Sequence, residues 1–457
     1  MVSRNATSSF LLTENIRGFE STYKLRWERE VRGLLDKRSG TSLFRLSFMG
    51  KERKRLELSV FDLPVHELRR GYRSAIYFWR TKRILELDDH HPVCTMQVFQ
   101  KADEVILCGT DEAIGILKVA SGYYKDPEKA YKLFDRYIAL KFEIRETLFH
   151  QNYKSYLLHN RERVEILERL DHLWTNTFDR LEVKALFDGD PICSWETVMT
   201  IEGDYPSFAH LESVYLGVLA RRTKIATNVR RVVEAARGKP VLFFADRFDH
   251  FATQGGDGYA SHVGGAEGVP TDAMAAWYGD RGLGTMPHSL MASYHADTVL
   301  ATEKFHKYIP DVPLISLVDF DNNCPETALK VARKMGEKLW AVRLDNAGDI
   351  VDFSLDPRGK EAPEHLRGVC PELVFKVREA LDREGFQHVK IVVSGGFSPD
   401  RIRRFEQEEV PVDSYDVGSW ILTGRYDFTA DVVRVNGKHL AKVGREFKPN
   451  RKLELVK

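Results

Sequence analysis

The sequence predicts an α/β protein: a barrel of the (β/α)8 type, preceded by an α+β domain that a C-terminal tail completes. Its length, its strand–helix rhythm and the residues at its strand ends all point there. At 457 residues the chain exceeds one barrel of roughly 250, so a second domain is expected. Between residues 240 and 425, short apolar runs alternate with helical segments of about a dozen residues, the rhythm of a parallel sheet. These runs end in small or charged residues: Phe244-Ala245-Asp246-Arg247, Gly284-Thr285-Met286-Pro287-His288, Val318-Asp319-Phe320-Asp321, Arg343-Leu344-Asp345, Ser394-Gly395-Gly396 and Asp416-Val417-Gly418-Ser419. In such barrels the C-terminal strand ends build the active site, and phosphate often sits after the last two strands.

Taken in order, residues 1–70 read as an N-terminal extension rich in Arg, Lys and Glu. Its basic run Lys51-Glu52-Arg53-Lys54-Arg55 is interleaved with acid and reads as a solvated face. Residues 71–205 form the α+β domain, with a strand over Thr95–Phe99, a helix over Ala130–Glu146 and strands around turns over Pro191–Ile201. The barrel spans 206–428. It opens with a long amphipathic helix over Leu211–Ala236 and a buried strand over Val241–Ala245, and an irregular stretch covers 251–285. Strands follow at Leu314–Asp319, Leu339–Leu344 and His388–Val393, with helices at Pro325–Lys338, Pro371–Glu384 and Asp400–Glu409. About six units are directly readable. The tail, 429–457, carries Asn436-Gly437, a strong hairpin signal, and is expected to return to the N-terminal domain.

Composition excludes several classes. With 43% hydrophobic and 30% charged residues and a formal net charge of +1, the chain reads as a soluble protein, not a nucleic-acid binder. No apolar stretch approaches the roughly 20 residues of a membrane span, and the N-terminus lacks the pattern of a secretory peptide. Five scattered cysteines without a Cys-x-x-Cys pair suit reduced thiols and a cytoplasmic location. His90-His91 has no partner cluster and reads as structural.

Chemistry concentrates at the strand ends. Ser394-Gly395-Gly396, then Ser398-Pro399-Asp400, puts two glycines at a strand top and a capped helix beyond; glycine lets backbone N–H groups approach an anion. Gly418-Ser419 at the next strand top adds amide donors, so a phosphate site is expected, with two ordinary turns as the alternative. Arg343 and Asp345 alternate along a strand and share a face; they read either as anion binder with hydroxyl- or Mg²⁺-orienting carboxylate, or as a buried ion pair. Alone, His288 reads first as structural, yet at a strand top by phosphate it also suits acid–base work or phosphoryl acceptance. Arg247 beside Phe244 suits a planar, carboxylated ring.

Together these residues resemble the nicotinate phosphoribosyltransferases, a barrel class shared with quinolinate and nicotinamide phosphoribosyltransferases. The resemblance covers most of 74–457. Leu283-Gly284-Thr285-Met286-Pro287-His288 is its most diagnostic segment and Arg343-Leu344-Asp345 the next. Support comes from Ile76-Tyr77-Phe78-Trp79-Arg80-Thr81, Thr200-Ile201-Glu202-Gly203, Leu211-Glu212, Ala226-Thr227 and the glycine loop Gly264-Gly265-Ala266-Glu267-Gly268. Departures include Asn346-Ala347-Gly348-Asp349 where the family commonly has Ser-Gly-Asp, Phe248 where a second arginine is frequent, and Val269-Pro270-Thr271 after the glycine loop.

The resemblance implies transfer of phosphoribose from phosphoribosyl pyrophosphate to nicotinate, in NAD salvage, with Mg²⁺ as cofactor, ATP as co-substrate and a homodimer or higher homo-oligomer. It implies Ser394, Gly395, Gly396, Gly418 and Ser419 at the phosphate, and Arg343, Asp345 and His288 at the reacting centre. Tyr77, Phe244 and Arg247 would meet the pyridine, Tyr77 across a dimer interface. Quinolinate would demand a denser cationic pocket; Arg221-Arg222-Thr223-Lys224 reads instead as a solvated helix face, since successive residues cannot all face one site. Nicotinamide would need no cation. A catalytically silent nucleotide-binding barrel is the alternative from another class.

Overall fold

A computed structural model describes residues 53–456. Most of the expected N-terminal extension, with the start of its basic run, lies outside the described residues. The chain falls into two compact units, residues 284–416 on one hand and 55–283 with 417–457 on the other.

The larger unit is built on a six-stranded antiparallel sheet. Its order is Lys438–His439, Phe428–Val435, Val93–Gln100, Thr197–Asp204, Glu182–Ala185 and Glu454–Leu455. Val93–Gln100 is its centre and is buried along nearly its whole length, with Cys94 opposite Val435 on one side and Gly203 on the other. The tail therefore pairs directly with the first long strand. Its hairpin turns at Asn436 (φ 48°) and Gly437 (φ 73°), two left-handed positions that an Asn-Gly turn supplies at little cost. One face of this sheet shares a core with the helices Thr110–Ala120 and Glu212–Ala235, where Met96, Val98, Ile116, Leu117, Tyr215 and Leu219 meet. A helical hairpin, Pro127–Phe149 and Tyr153–Leu173, closes its own cluster around Leu133, Phe134, Ile166 and Leu170. Asp126 and Asn152 cap the two helices through the amides of Lys129 and Ser155.

The same unit holds the strand Val241–Phe243, in a parallel bridge from Leu242 to Gly268. Two sequence expectations fail here. The stretch 251–285 is irregular only in part: Gln254–Gly264 is an α-helix despite its four glycines, because Gly256 and Gly264 let it pack against Glu212–Ala235. A Cβ at Gly264 would lie 2.7 Å from the Ala226 carbonyl oxygen, and one at Gly256 would lie 1.9 Å from the Arg222 guanidinium. Nor are Arg221 and Arg222 a solvated face. Both bind Asp257, at 2.7 Å and 2.8 Å; Arg222 also binds Glu112 at 2.9 Å, and Arg221 binds Asp249 at 2.7 Å. The two residues are 100° apart on the helix, but long side chains converge on one carboxylate from either flank.

The smaller unit is α/β with parallel strands. Leu314–Leu317, Leu339–Leu344, Lys390–Val393 and Ser414–Val417 pair in sequence order. The connections carry the helices Cys324–Met335, Pro371–Arg383 and Pro399–Gln407, each with proline in its first turn, where its missing N–H costs nothing. All of these match the sequence rhythm to within a few residues. Gly284–His288 does not end a strand among the described residues. It is an extended approach in which Met286 is buried, Pro287 takes the N-cap position and His288 opens the short helix His288–Ser293.

Candidate active site

In the smaller unit, strand ends bring several of the expected residues together. Arg343 is the next-to-last residue of the strand Leu339–Leu344, and Asp345 lies just beyond it. The Arg343 guanidinium donates to Thr285 Oγ1 at 2.6 Å and reaches Asp345 Oδ2 at 3.4 Å. Arg343 is largely buried while a quarter of the Asp345 side chain is exposed, so the pair keeps one open side.

His288 Nε2 lies 2.8 Å from Asp319 Oδ2, and Asp319 is itself buried after the strand Leu314–Leu317. That hydrogen bond pulls the imidazole pKa above its ordinary value, against partial burial and the nearby charge of Arg343. A carboxylate on Nε2 leaves Nδ1 as the nitrogen with a lone pair in the neutral ring. His288 is thus oriented by a carboxylate while nearly half of its side chain stays exposed.

Gly395 (φ 90°) and Gly396 (φ 73°) occupy conformations that favour glycine. A Cβ on Gly395 would meet Asp345 Oδ1 at 3.4 Å, so this turn lies against the Arg343–Asp345 pair. Arg401 holds the turn from behind, donating to the carbonyls of Gly395 at 2.7 Å and Gly396 at 3.3 Å and to that of Val369 at 2.6 Å. In a trans peptide the N–H points opposite to the C=O, so the following amides face away from Arg401. Ser394 is buried and donates to the Leu344 carbonyl at 3.2 Å, which makes it a tie between neighbouring strands.

Asp416 is legible in the sequence only as part of a strand end. It is buried, and both its carboxylate oxygens lack a hydrogen-bond partner among the described residues. Burial, partly countered by Arg343 and reinforced by Asp345, pushes its pKa up to about 7. Thr285 and Asp319 stood inside quoted motifs and Arg401 just beyond one, but none was singled out; their partners lie 6 to 58 residues away along the chain.

The remaining expected residues belong to the larger unit. Phe244 is half-buried, its amide donating to the Val417 carbonyl at 2.8 Å. Arg247 lies on the exposed 3-10 turn Asp246–Phe248, its guanidinium 5.3 Å from the Phe248 ring centroid. Gly418 is required sterically, since a Cβ would sit 2.6 Å from the Phe244 carbonyl oxygen and 2.7 Å from the Phe248 ring. Ser419, exposed, starts the turn Ser419–Leu422. Tyr77 is exposed on the helix Ile76–Leu87, its ring 4.3 Å from that of Phe78. His91 meets Asp204 at 3.1 Å, a structural contact. Among the described residues no group of three or more His, Cys, Asp or Glu side chains is arranged to hold a metal, and no helix is long and apolar enough to cross a membrane.

Set beside known proteins, the chain is 28% identical over 254 residues to the nicotinate phosphoribosyltransferase pncB2 of Mycobacterium tuberculosis, covering 53% of this chain and 50% of that one. The Bacillus subtilis nicotinate phosphoribosyltransferase is 23% identical over 247 residues, covering 53% and 46%. The chain is similar to nicotinate phosphoribosyltransferases. The match spans about half the length of these curated relatives. A crystal structure of nicotinate-nucleotide pyrophosphorylase from Pyrococcus furiosus superposes with a TM-score of 0.63 at 27% identity, covering 85% of this chain and 84% of that one. Human nicotinic acid phosphoribosyltransferase shares the fold, with a TM-score of 0.53 at 14% identity over 82% and 77% of the chains. No protein-family model matches.

Proposed function

We propose that the chain is a nicotinate phosphoribosyltransferase acting in NAD salvage, which makes nicotinate mononucleotide and pyrophosphate from nicotinate and phosphoribosyl pyrophosphate. The observation that carries the reading is the Arg343–Asp345–Thr285 cluster beside the Gly395–Gly396 turn, in a chain whose relatives bear that name. This reading takes residues 206–428 as a (β/α)8-like barrel and 71–205 as an α+β domain completed by 429–457.

Transfer needs orientation and electrostatic stabilisation of an oxocarbenium-like transition state more than a covalent nucleophile. The amides of Gly396 and Phe397, which follow the carbonyls held by Arg401 and so turn away from it, would bind the 5′-phosphate together with that of Gly395. Arg343 would neutralise the departing pyrophosphate, and Asp345 would hold ribose hydroxyls. Gly418 and Ser419 are proposed as further phosphate contacts, and Tyr77, Phe244 and Arg247 as contacts of the pyridine. The partly open carboxylate of Asp345 and the unpartnered oxygens of Asp416 are hard donors that suit Mg²⁺ arriving with pyrophosphate, since Mg²⁺ commonly uses one or two carboxylates plus phosphates. Bound there, it would offset charge on the leaving group. For ATP coupling, His288 Nδ1 would attack the terminal phosphorus of ATP as ADP leaves, and water would later take the phosphoryl group.

A second reading makes the same nucleotide and pyrophosphate, with CO₂, from a different pyridine, quinolinate; the Pyrococcus neighbour's name, nicotinate-nucleotide pyrophosphorylase, fits either. The deciding experiment offers the purified protein phosphoribosyl pyrophosphate and Mg²⁺ with nicotinate, nicotinamide or quinolinate, with and without ATP. Product from nicotinate alone supports the proposal, product from quinolinate with CO₂ release supports the second reading, and no product with any pyridine sinks both. Arg247→Ala should raise the nicotinate KM about tenfold or more, the scale of one charge-assisted hydrogen bond. Unchanged kinetics would remove Arg247 from the site.

A further inference from the structure

The larger unit carries a cavity of about 410 Å³ against its antiparallel sheet, lined by Phe99, Trp195, Arg445, Glu446 and Lys448 with Gln97 at its floor. Its central feature is an indole ring. Trp195 stacks on Phe99 with ring centroids 5.1 Å apart and a 26° tilt, yet stays 38% exposed. Its backbone takes φ 64°, a left-handed conformation that bulky residues rarely adopt. The turn holds it there: the Trp195 amide donates to the Gln100 carbonyl at 2.8 Å, and Ser194 donates to Asp103 and to the Lys101 carbonyl, each at 2.8 Å. Strain of this kind persists where surroundings enforce it, and such places are frequent ligand sites.

Three cations surround the ring. The guanidinium of Arg445 lies 5.2 Å from its centroid, the ammonium of Lys101 5.3 Å and that of Lys448 5.8 Å. Arg445 is fixed by Asp431 at 2.8 Å, whereas neither Lys101 nor Lys448 has an ion-pair partner among the described residues. The opposing carboxylates are Glu446, on the lining, and Glu196, which is tied to Lys452 at 2.9 Å. The segment bearing Arg445 and Lys448 is not a loose tail. Buried Gln97 accepts from the Lys448 amide at 2.8 Å and donates to the Glu446 carbonyl at 3.4 Å, and Thr197 donates to the Lys448 carbonyl at 2.8 Å.

A rigid aromatic platform flanked by two lysines without ion-pair partners among the described residues and by an arginine held in place by Asp431, in a cavity of small-ligand size, matches a flat ring that bears an anion. We propose that this cavity is a binding site for a nucleoside phosphate, its base stacked beside Trp195 and its phosphate between Lys101, Lys448 and Arg445. The site shares no residue with the cluster around Arg343, and it does not depend on the proposed reaction.

Equilibrium dialysis of the full chain with radiolabelled AMP tests it, using Trp195→Ala, Lys448→Glu and, as control, Arg343→Ala. Saturable AMP binding is expected in the parent protein and in Arg343→Ala. Trp195→Ala should lose about tenfold or more in affinity, the scale of one base–aromatic stack. Lys448→Glu, an exposed change that leaves the turn intact, should weaken binding and flatten its salt dependence. Binding that survives both Trp195→Ala and Lys448→Glu, binding lost only in Arg343→Ala, or no binding at millimolar AMP would each overturn the proposal. Equal competition by inorganic phosphate, with no loss in Trp195→Ala, would reduce the cavity to a simple anion site and overturn the nucleoside part.

Discussion

Asp416 is the residue with the largest electrostatic consequence in the candidate site. Its folded pKa, about 7, stands above the ordinary carboxylate value because burial disfavours the charged form. The folded state therefore binds a proton more tightly than the unfolded chain. This stabilising term is fully present below the unfolded pKa, near 4, and is lost as pH rises through about 7. Replacement by the neutral isostere, Asp416→Asn, should leave stability unchanged near pH 4 and raise it above pH 7, by at most about 4 kcal/mol at about 1.4 kcal/mol per pKa unit. Asp188, also held near 7, and Glu212, held near 8, remain in both proteins, so they cancel in the comparison. Parallel melting-temperature profiles across pH 4–8 would show that Asp416 carries no such burden. His288 makes a separate prediction. If its Nδ1 accepts phosphate, His288→Asn should abolish ATP stimulation and acid-labile phosphoprotein while slow ATP-independent transfer survives through Arg343 and the glycine turn. Full ATP stimulation in a folded His288→Asn protein is the result that rules out phosphoryl acceptance.

Among the elements, the glycine-rich helix Gln254–Gly264 makes the most specific claim. Its glycines are there for close approach: a Cβ at Gly256 would overlap the Arg222 guanidinium, which Glu112 and Asp257 hold in a nearly dry position. Gly256→Ala should improve helix propensity yet destabilise the fold by about 1–3 kcal/mol, because the ion-pair network must shift. In an Arg222→Ala background the same substitution should cost nothing further, so denaturant melts of the double-mutant cycle read the clash directly. Additive effects would mean that the arginine is not the obstacle. This helix also marks the limit of what the sequence discloses. The parallel strands and their helices were legible because apolar runs and proline-led helices carry their own period. Gln254–Gly264 was not, since glycine dilutes the helical pattern and only its packing against Glu212–Ala235 makes the helix favourable. Gly284–His288 misled in the opposite direction, since a small-residue cluster that ends in a polar side chain looks the same on an extended segment as at a strand end. The Arg343–Asp345 pair and the Gly395–Gly396 turn were readable from strand alternation and backbone freedom. Asp319, Arg401 and the unpartnered Asp416 were not, because a carboxylate's partners, or their lack, are set by residues distant in sequence.

On the scale of the molecule, the tail links sequence order to stability. Phe428–Val435 lies beside the central strand Val93–Gln100 in a register that runs from Cys94–Val435 to Gln100–Phe428. Tyr426 and Phe428 are buried in the same core as Met96, Val98 and Leu219. The final segment, Glu454–Leu455, pairs with Glu182–Ala185 at the opposite edge of that sheet. Removing residues 428–457 would leave Val93–Gln100 with unpaired backbone groups along one side and expose apolar side chains that the tail now covers. A bare, largely apolar strand edge also invites pairing with other chains. The truncated protein should therefore lose the cooperative melting of the larger unit and aggregate, and limited proteolysis should cut within residues 55–283. Removing only 453–457 strips one short edge strand and should cost far less, since Thr197–Asp204 still flanks Glu182–Ala185 on its inner side. If both truncations melt like the parent chain, the six-stranded sheet does not hold this unit together, and its helices alone must account for its stability.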